Sequence, residues 1–89
     1  MKQITIEKRI GALGCPSDIA ILFDERPKDV IKVDQESITI PVSSTEITVQ
    51  AEVIINGRSY RSNAYFVLNG NAPKLYLTVS GSKMVLSTK

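Results

Sequence analysis

Few residues of this chain could do chemistry, because its 89 positions include no histidine and a single cysteine. Histidine is the side chain best suited to proton transfer near neutral pH and is the commonest metal ligand. Its absence excludes Ser–His and Cys–His nucleophile pairs, and a zinc site would have to rely on Cys15 and carboxylates alone. The composition therefore predicts a protein that is not an enzyme, with no catalytic residue, no metal site and no cofactor.

Cys15, the one thiol, lies between Gly14 and Pro16. A reactive cysteine needs a neighbour that lowers its pKa, and no histidine is present to do so. A free cysteine otherwise behaves as a small apolar side chain and is usually buried. We expect Cys15 to be inert at the edge of the core. Because it cannot form a disulfide within the chain, a reducing, cytoplasmic location is favoured.

The carboxylates concentrate in the middle of the chain, where five occur between residues 24 and 36. They could form a calcium site or a carboxylate pair for acid–base catalysis. Their spacing matches no EF-hand loop, and Arg26, Lys28 and Lys32 lie among them. We interpret the segment as a solvated loop.

The charge pattern bears on the class of partner. Eleven Lys and Arg residues against nine Asp and Glu residues give a formal net charge of +2. No basic run is longer than the pair Lys8 and Arg9, whereas nucleic-acid-binding domains usually carry a denser basic footprint. The longest apolar run covers residues 19–23, well short of the ~20 residues that cross a bilayer. We therefore predict no nucleic-acid partner and no membrane span.

One group of polar and aromatic residues is a candidate interaction surface: Tyr60, Arg61, Asn63, Tyr65 and Tyr76. Aromatic residues and arginine are enriched at the energetic centres of protein interfaces. We interpret the group as a recognition surface on the outer face of a sheet. The alternative is an ordinary solvent face, since tyrosine also favours strands and singly exposed aromatics need no explanation.

These side chains must be positioned by β-strands, because apolar residues recur with period two along most of the chain. The length fits one domain, residues 1–89. Strands are predicted at residues 2–10, 18–23, 30–33, 36–42, 46–55, 58–68, 74–79 and 83–87, with loops at 11–16, 24–29, 43–45 and 69–73 and two-residue turns at 56–57 and 81–82.

Asn56 and Gly57 predict a type I′ hairpin, because both residue types tolerate the positive φ that this turn requires. A two-residue turn places Glu52 opposite Arg61, and uninterrupted pairing would place Ile47 opposite Phe66. Truncating a buried Phe66 to Ala would cost about 3–5 kcal/mol. The other expected core residues are Ile47, Val49, Val53, Leu75 and Leu77. The loop at 69–72 either pairs Tyr65 with Tyr76 or crosses to a second sheet.

Short alternating strands separated by turns every 8–12 residues indicate an all-β fold. We predict an antiparallel immunoglobulin-like β-sandwich of about seven strands. A small β-barrel is the alternative.

Residues 18–63 resemble the small β-sandwich modules of the PEGA type. The similar features are an apolar run ending at Asp24, a short strand at 36–41, a long alternating strand at 47–53, and a glycine turn followed by a polar segment. The resemblance implies a β-sandwich that serves in interactions or at the cell wall, without catalytic residues. It assigns no functional residue.

These features together predict a non-enzymatic protein-interaction module. Its partner would be a protein, bound through a strand edge or through the tyrosine face. The alternative is a self-associating structural subunit of a phage or cell-surface assembly, which would make the protein a homo-oligomer.

Overall fold

The computed structural model describes residues 2–9, 11, 12, 15, 17–42, 46–67, 74–80 and 83–88, with the side chains of Lys2 and Ser80 left aside. Those residues form strands and turns and no helix, so the all-β prediction is confirmed. The strands are β1 (Lys2–Lys8), β2 (Ile19–Phe23), β3 (Arg26–Ile31), β4 (Ser37–Val42), β5 (Ile47–Ile55), β6 (Arg58–Arg61), β7 (Tyr65–Val67), β8 (Lys74–Ser80) and β9 (Lys83–Ser87).

The strands form two open sheets. Strands β4, β1, β8 and β9 form the four-stranded sheet in that order, and β3, β2, β5 and β6 form the five-stranded sheet with β7, which also pairs with β5. Strands β1 and β8 run parallel, so the expectation of a purely antiparallel fold is wrong for this pair. The chain leaves the five-stranded sheet after β7 and joins the other sheet at β8, which makes crossing to a second sheet the correct alternative.

Both sheets contribute to one apolar core. Alternate residues of β1, β4, β5, β8 and β9 point inward, as the period-two pattern predicts, whereas Ile31 is the one buried residue of β3. Fully burying an aliphatic side chain contributes about 1.5–3 kcal/mol, so this core is the main stabilising feature. Its largest fully buried side chains are Ile4, Ile6, Ile19, Ile21, Ile31, Ile40, Leu75, Leu77, Leu86 and Val49.

The hairpin of β5 and β6 has the predicted register, with Glu52 opposite Arg61 and Ile55 opposite Arg58. Asn56 has φ 52° and Gly57 has φ 79°, as a type I′ turn requires. Here the sequence determines the pairing through local turn chemistry.

The prediction of one continuous strand over residues 58–68 is wrong, because the chain breaks its pairing with β5 at Ser62. The Ala51 N–H donates to Ser62 Oγ at 2.9 Å, so the side chain replaces a backbone carbonyl in the ladder. Pairing resumes in β7 with the register shifted by one residue, and Thr48 lies opposite Phe66. A shift of one residue turns a side chain to the other face. Phe66 is therefore 55% exposed and is not a core residue, while Val67 is buried.

The loop predicted over residues 24–29 is also wrong. Asp24 and Glu25, at φ 52° and 68°, form a two-residue turn, and Phe23 lies opposite Arg26. The Asp24 carboxylate accepts the Thr48 N–H at 3.0 Å, which holds this turn against β5. Strand β3 consequently begins at Arg26 and ends at Ile31. The predicted features at 43–45, 69–73 and 81–82, and the strand end at Ile10, lie outside the described residues.

Candidate functional site

Cys15 lies where the sequence predicts, at the edge of the core. The residue is 6% exposed, and its Sγ lies 3.5 Å from the carbonyl oxygen of Ser17. A thiol enclosed in this way behaves as a small apolar side chain. The packing therefore gives Cys15 a structural role.

Among the described residues, one charged side chain is buried, that of Lys8, which is 3% exposed. Its Nζ donates to the carbonyl oxygen of Lys32 at 2.8 Å and approaches that of Val33 at 3.5 Å. Its backbone N–H donates to the Glu36 carbonyl at 2.8 Å. Through these hydrogen bonds Lys8 holds the link between β3 and β4 against the end of β1, an inner strand of the four-stranded sheet. An ammonium held by carbonyl oxygens is a donor, not a nucleophile.

An open depression of about 360 Å³ lies on the outer face of the five-stranded sheet, and its lining includes Asp24, Glu25, Thr48, Gln50 and Ala64. The Asp24 carboxylate is occupied by the Thr48 N–H. Among the described residues, no three Cys, Asp or Glu side chains come close enough to hold a metal ion. The depression lacks the enclosed apolar walls of a typical ligand pocket.

The structure separates the five residues of the predicted tyrosine surface. Tyr60 lies opposite Val53 and Tyr65 opposite Val49, so both point inward and pack against the core. Tyr76 lies on β8, in the other sheet. The expectation of one outer recognition face is therefore wrong in its geometry. The confirmed hairpin register itself turns Tyr60 inward, the register shift in β7 turns Tyr65 inward, and Tyr76 lies in the other sheet.

Arg61 is on the outer face and is paired with Glu52. Its Nε and the Ser59 hydroxyl both donate to Glu52 Oε2. The hydrogen bond from Arg61 holds the pKa of the Glu52 carboxyl below its ordinary value of 4.5. Partial burial acts in the opposite direction, and the hydrogen bond from the Ser59 hydroxyl adds a smaller lowering effect. The guanidinium is thus engaged within the sheet.

Asn63 joins the two sheets. It lies between β6 and β7, and its side-chain amide lies against the backbone of Leu86 on β9. The Leu86 N–H donates to Asn63 Oδ1 at 2.8 Å, and Asn63 Nδ2 donates to the Leu86 carbonyl at 3.1 Å. An amide that both accepts from and donates to one residue imitates a neighbouring strand. The role of Asn63 is therefore architectural.

Tyr76 is the one tyrosine of the group on an outer face, and two cations lie over its ring. The Arg9 guanidinium carbon is 3.9 Å and Lys74 Nζ 5.5 Å from the ring centroid. Both side chains also approach Glu7 Oε2, at 3.7 and 3.5 Å. Cation–π contacts at exposed sites contribute ~0.5–1 kcal/mol. This arrangement gives a half-buried aromatic patch with an excess of one positive charge.

The second kind of site that the sequence predicts is a strand edge, although the sequence does not indicate which strand supplies it. An edge strand presents backbone N–H and C=O groups that can pair with another chain. In the four-stranded sheet the edges are β4 and β9, and in the five-stranded sheet they are β3 and the strands β6 and β7. Whether each edge is available depends on where its outward backbone groups go.

The edge of β4 is open over the described residues. Because the Lys8 N–H points to Glu36 and Ile6 lies opposite Ile38, the even-numbered residues of β4 bond to β1. Ser37, Thr39 and Pro41 must then direct their backbone groups away from the sheet, since these directions alternate along a strand. Pro41, which has no N–H, fits that side. Within the described chain, no hydrogen bond involves the backbone of these three residues.

The edge of β3 is closed by its own residues. Pro27 has no N–H to offer, and the pairing is irregular where Leu22 meets it. The Val30 N–H donates to the Asp29 carboxylate at 2.8 Å, and the Lys32 N–H donates to Gln35 Oε1 at 3.0 Å. Proline, charge and irregular pairing are the devices by which proteins protect an edge strand.

The edge of β9 is closed by the five-stranded sheet. Leu86 is occupied by the Asn63 amide, and Met84 forms an isolated parallel bridge with Ser62. That bridge also covers the end of β6. Among the described residues, β4 is thus the edge that combines an uncovered run of backbone groups with no charged side chain, whereas the outer edge of β6 carries Arg58 and Arg61.

No protein-family model, no curated protein and no solved structure matches the chain. Among the described residues, no helix is long and apolar enough to cross a membrane.

Proposed function

We propose that this protein is a non-enzymatic protein-interaction module that accepts an extended segment of a protein partner at the edge of β4. The observation that carries the proposal is the open row of Ser37, Thr39 and Pro41. An extended segment added there would gain backbone hydrogen bonds, and side-chain contacts along the strand would give selectivity. The partner is a protein, because this mode of binding needs a peptide backbone.

The composition of β4 supports this use. Its residues are Ser-Ile-Thr-Ile-Pro-Val, without a charge, whereas β3 carries three charged side chains in Arg26, Lys28 and Asp29. Charged residues on an edge strand discourage pairing with other chains. The edges of β3 and β4 are joined by the short link that Lys8 holds. They differ in charge, the property that decides whether another strand can add to an edge.

The side chains that could act in catalysis are engaged in the fold, which supports a non-enzymatic role. The thiol of Cys15 is buried, the Lys8 ammonium is held by carbonyl oxygens, and the Asp24 carboxylate holds a turn. General acid–base catalysis needs a group free to exchange protons with a substrate. Each of these side chains instead stabilises the fold.

The finer fold assignment belongs with this proposal. The two sheets around one core fit an immunoglobulin-like β-sandwich, here with nine described strands where about seven are expected. The PEGA-type resemblance over residues 18–63 points to the same class of interaction domain. A cytoplasmic location fits the free thiol of Cys15.

The second candidate, a self-associating structural subunit of a phage or cell-surface assembly, is favoured by one observation. The uncharged β4 edge can pair with a copy of itself without placing like charges opposite each other.

Photo-crosslinking tests the proposal. A photoreactive amino acid is introduced at Thr39, on the open edge, and as a matched control at Val30, on the closed edge of β3. The account predicts a crosslinked protein from position 39 and none from position 30. The captured protein, once purified, should bind Thr39→Val, which keeps the backbone N–H, and bind Thr39→Pro at least about tenfold more weakly, a loss of 1.4 kcal/mol. Equal binding of the two variants would reject the proposal.

A further inference from the structure

We infer that the extended segment accepted by β4 is β4 of a second copy of this chain, in an antiparallel pair centred on Ile38. This inference rests on the proposed function and names its partner. Such a pair has a two-fold axis and uses the same surface on both copies, which is the commonest form of protein dimer.

The direction of the backbone groups selects this register. With Ile38 opposite its counterpart, Ser37 of each copy lies opposite Thr39 of the other. Both residues direct N–H and C=O outward, so every one of these groups finds a partner in an antiparallel ladder. A register centred on Thr39 would instead place Ser37 opposite Pro41 and leave the Ser37 carbonyl without a donor.

The side chains favour the same register. Ile38 is half-buried in the single chain and packs against the edge of the core. In the pair it meets its counterpart at a position without direct hydrogen bonds, where Cα atoms approach to about 4.5 Å. Aliphatic surface left open at the end of the core is then covered. Because β4 contains no charged residue, the pair places no like charges of β4 opposite each other.

The contact is short, so the association should be weak. Stable interfaces bury about 1,200–2,000 Å² in total, and one six-residue edge strand gives less than that. We expect the average mass to rise with concentration between ~10 µM and ~1 mM, the range of weak contacts.

Sedimentation equilibrium is the first test. The wild-type chain and Thr39→Val should self-associate, and Thr39→Pro should remain a monomer while retaining its thermal unfolding transition. Since the Thr39 N–H points away from β1, the proline removes no backbone hydrogen bond of the fold. The bond between the Thr5 and Thr39 hydroxyls, at 3.2 Å, is lost in Thr39→Val as well, so the valine variant controls for it. A wild-type chain that is monomeric at all concentrations, or Thr39→Pro that associates like wild type, overturns the inference.

Cysteine crosslinking tests the register without relying on proline. In a Cys15→Ala background, Ile38→Cys should form a disulfide between two copies on mild oxidation. Thr78→Cys, on the outer face of β8, is the matched control and should not. A disulfide from Thr39→Cys in place of Ile38→Cys overturns the register. If position 39 captures a different protein while the chain stays monomeric, the inference fails and the proposed function stands.

Discussion

The side-chain amide of Asn63 bonds both backbone groups of Leu86, at 2.8 and 3.1 Å, and so joins the five-stranded sheet to the four-stranded sheet. Through this contact one residue closes the outward edge of β9. The same break in the strand that frees Asn63 also turns Phe66 outward. The break between β6 and β7 therefore produces both the contact between the sheets and the exposed position of Phe66.

Replacing Asn63 by Ala should destabilise the protein by about 1–3 kcal/mol, since it removes both bonds and leaves the Leu86 backbone groups without partners. Denaturant unfolding measures the change. Gln3→Ala is the matched control, because Gln3 is an exposed amide on the outer face of β1, and it should change stability by less than ~0.5 kcal/mol. Equal effects of the two substitutions would show that the Asn63 contact does not form.

Truncating Val67 to Ala should destabilise the protein more than truncating Phe66, although Phe66 is the larger side chain. Val67 is buried and Phe66 is 55% exposed, so Val67→Ala should cost about 1–3 kcal/mol and Phe66→Ala less than ~1 kcal/mol. Urea unfolding of the two variants compares them directly. A larger cost for Phe66→Ala would support the uninterrupted register that the sequence indicates.

Gly57 and Gly11 have nearly the same φ, 79° and 80°, but different surroundings. A Cβ at Gly57 meets no atom within 4 Å, whereas one at Gly11 would lie 1.6 Å from the Val79 carbonyl oxygen. Gly57→Ala should therefore cost only the backbone strain, about 1–2 kcal/mol. Gly11→Ala should cost clearly more, because backbone must move. Thermal unfolding of both variants distinguishes strain from overlap, and equal costs would contradict the close approach.

The pair of Glu52 and Arg61 makes stability depend on pH. Since the Arg61 hydrogen bond lowers the pKa of Glu52 in the folded state, its stabilisation is present above the ordinary value of 4.5 and is lost as the pH falls through the lowered pKa. Arg61→Gln should thus be less stable than wild type near neutral pH and equal to it in strong acid. A difference that is the same at both pH values would mean that the pair contributes nothing electrostatic.

The sequence predicts those parts of the fold that depend on local pattern. Period-two alternation identifies the strands and most of the core, and the Asn56 and Gly57 turn determines the register from Ile55 to Glu52. The sequence does not predict that Ser62 Oγ replaces a backbone carbonyl as the acceptor for the Ala51 N–H. Serine side chains bond to nearby backbone groups in many conformations, so the residue type does not indicate this one. Asp24 and Glu25 read as part of a charged loop, since non-glycine residues seldom adopt positive φ.

The candidate site was even less accessible to sequence reasoning. Residue type alone does not give the direction of a tyrosine side chain: Tyr60 turns inward in the predicted hairpin register, and Tyr65 turns inward through the register shift in β7. The signal for the open edge is present in the sequence as the uncharged run of β4 with Pro41. An uncharged strand is open to pairing only if it lies at the edge of a sheet. The position of β4 at the edge follows from the order of the strands, which the local sequence pattern does not give.

Amide hydrogen exchange, followed by NMR on the wild-type chain, tests the open edge of β4 most directly. In dilute solution the amides of Ser37 and Thr39 should exchange at least about tenfold faster than those of Ile38 and Ile40, equivalent to 1.4 kcal/mol of protection. The Leu86 amide, bonded by Asn63, should be slow. Raising the concentration should slow Ser37 and Thr39 selectively. If both already exchange as slowly as Ile38 in the dilute monomer, the edge of β4 is not open and the account is wrong.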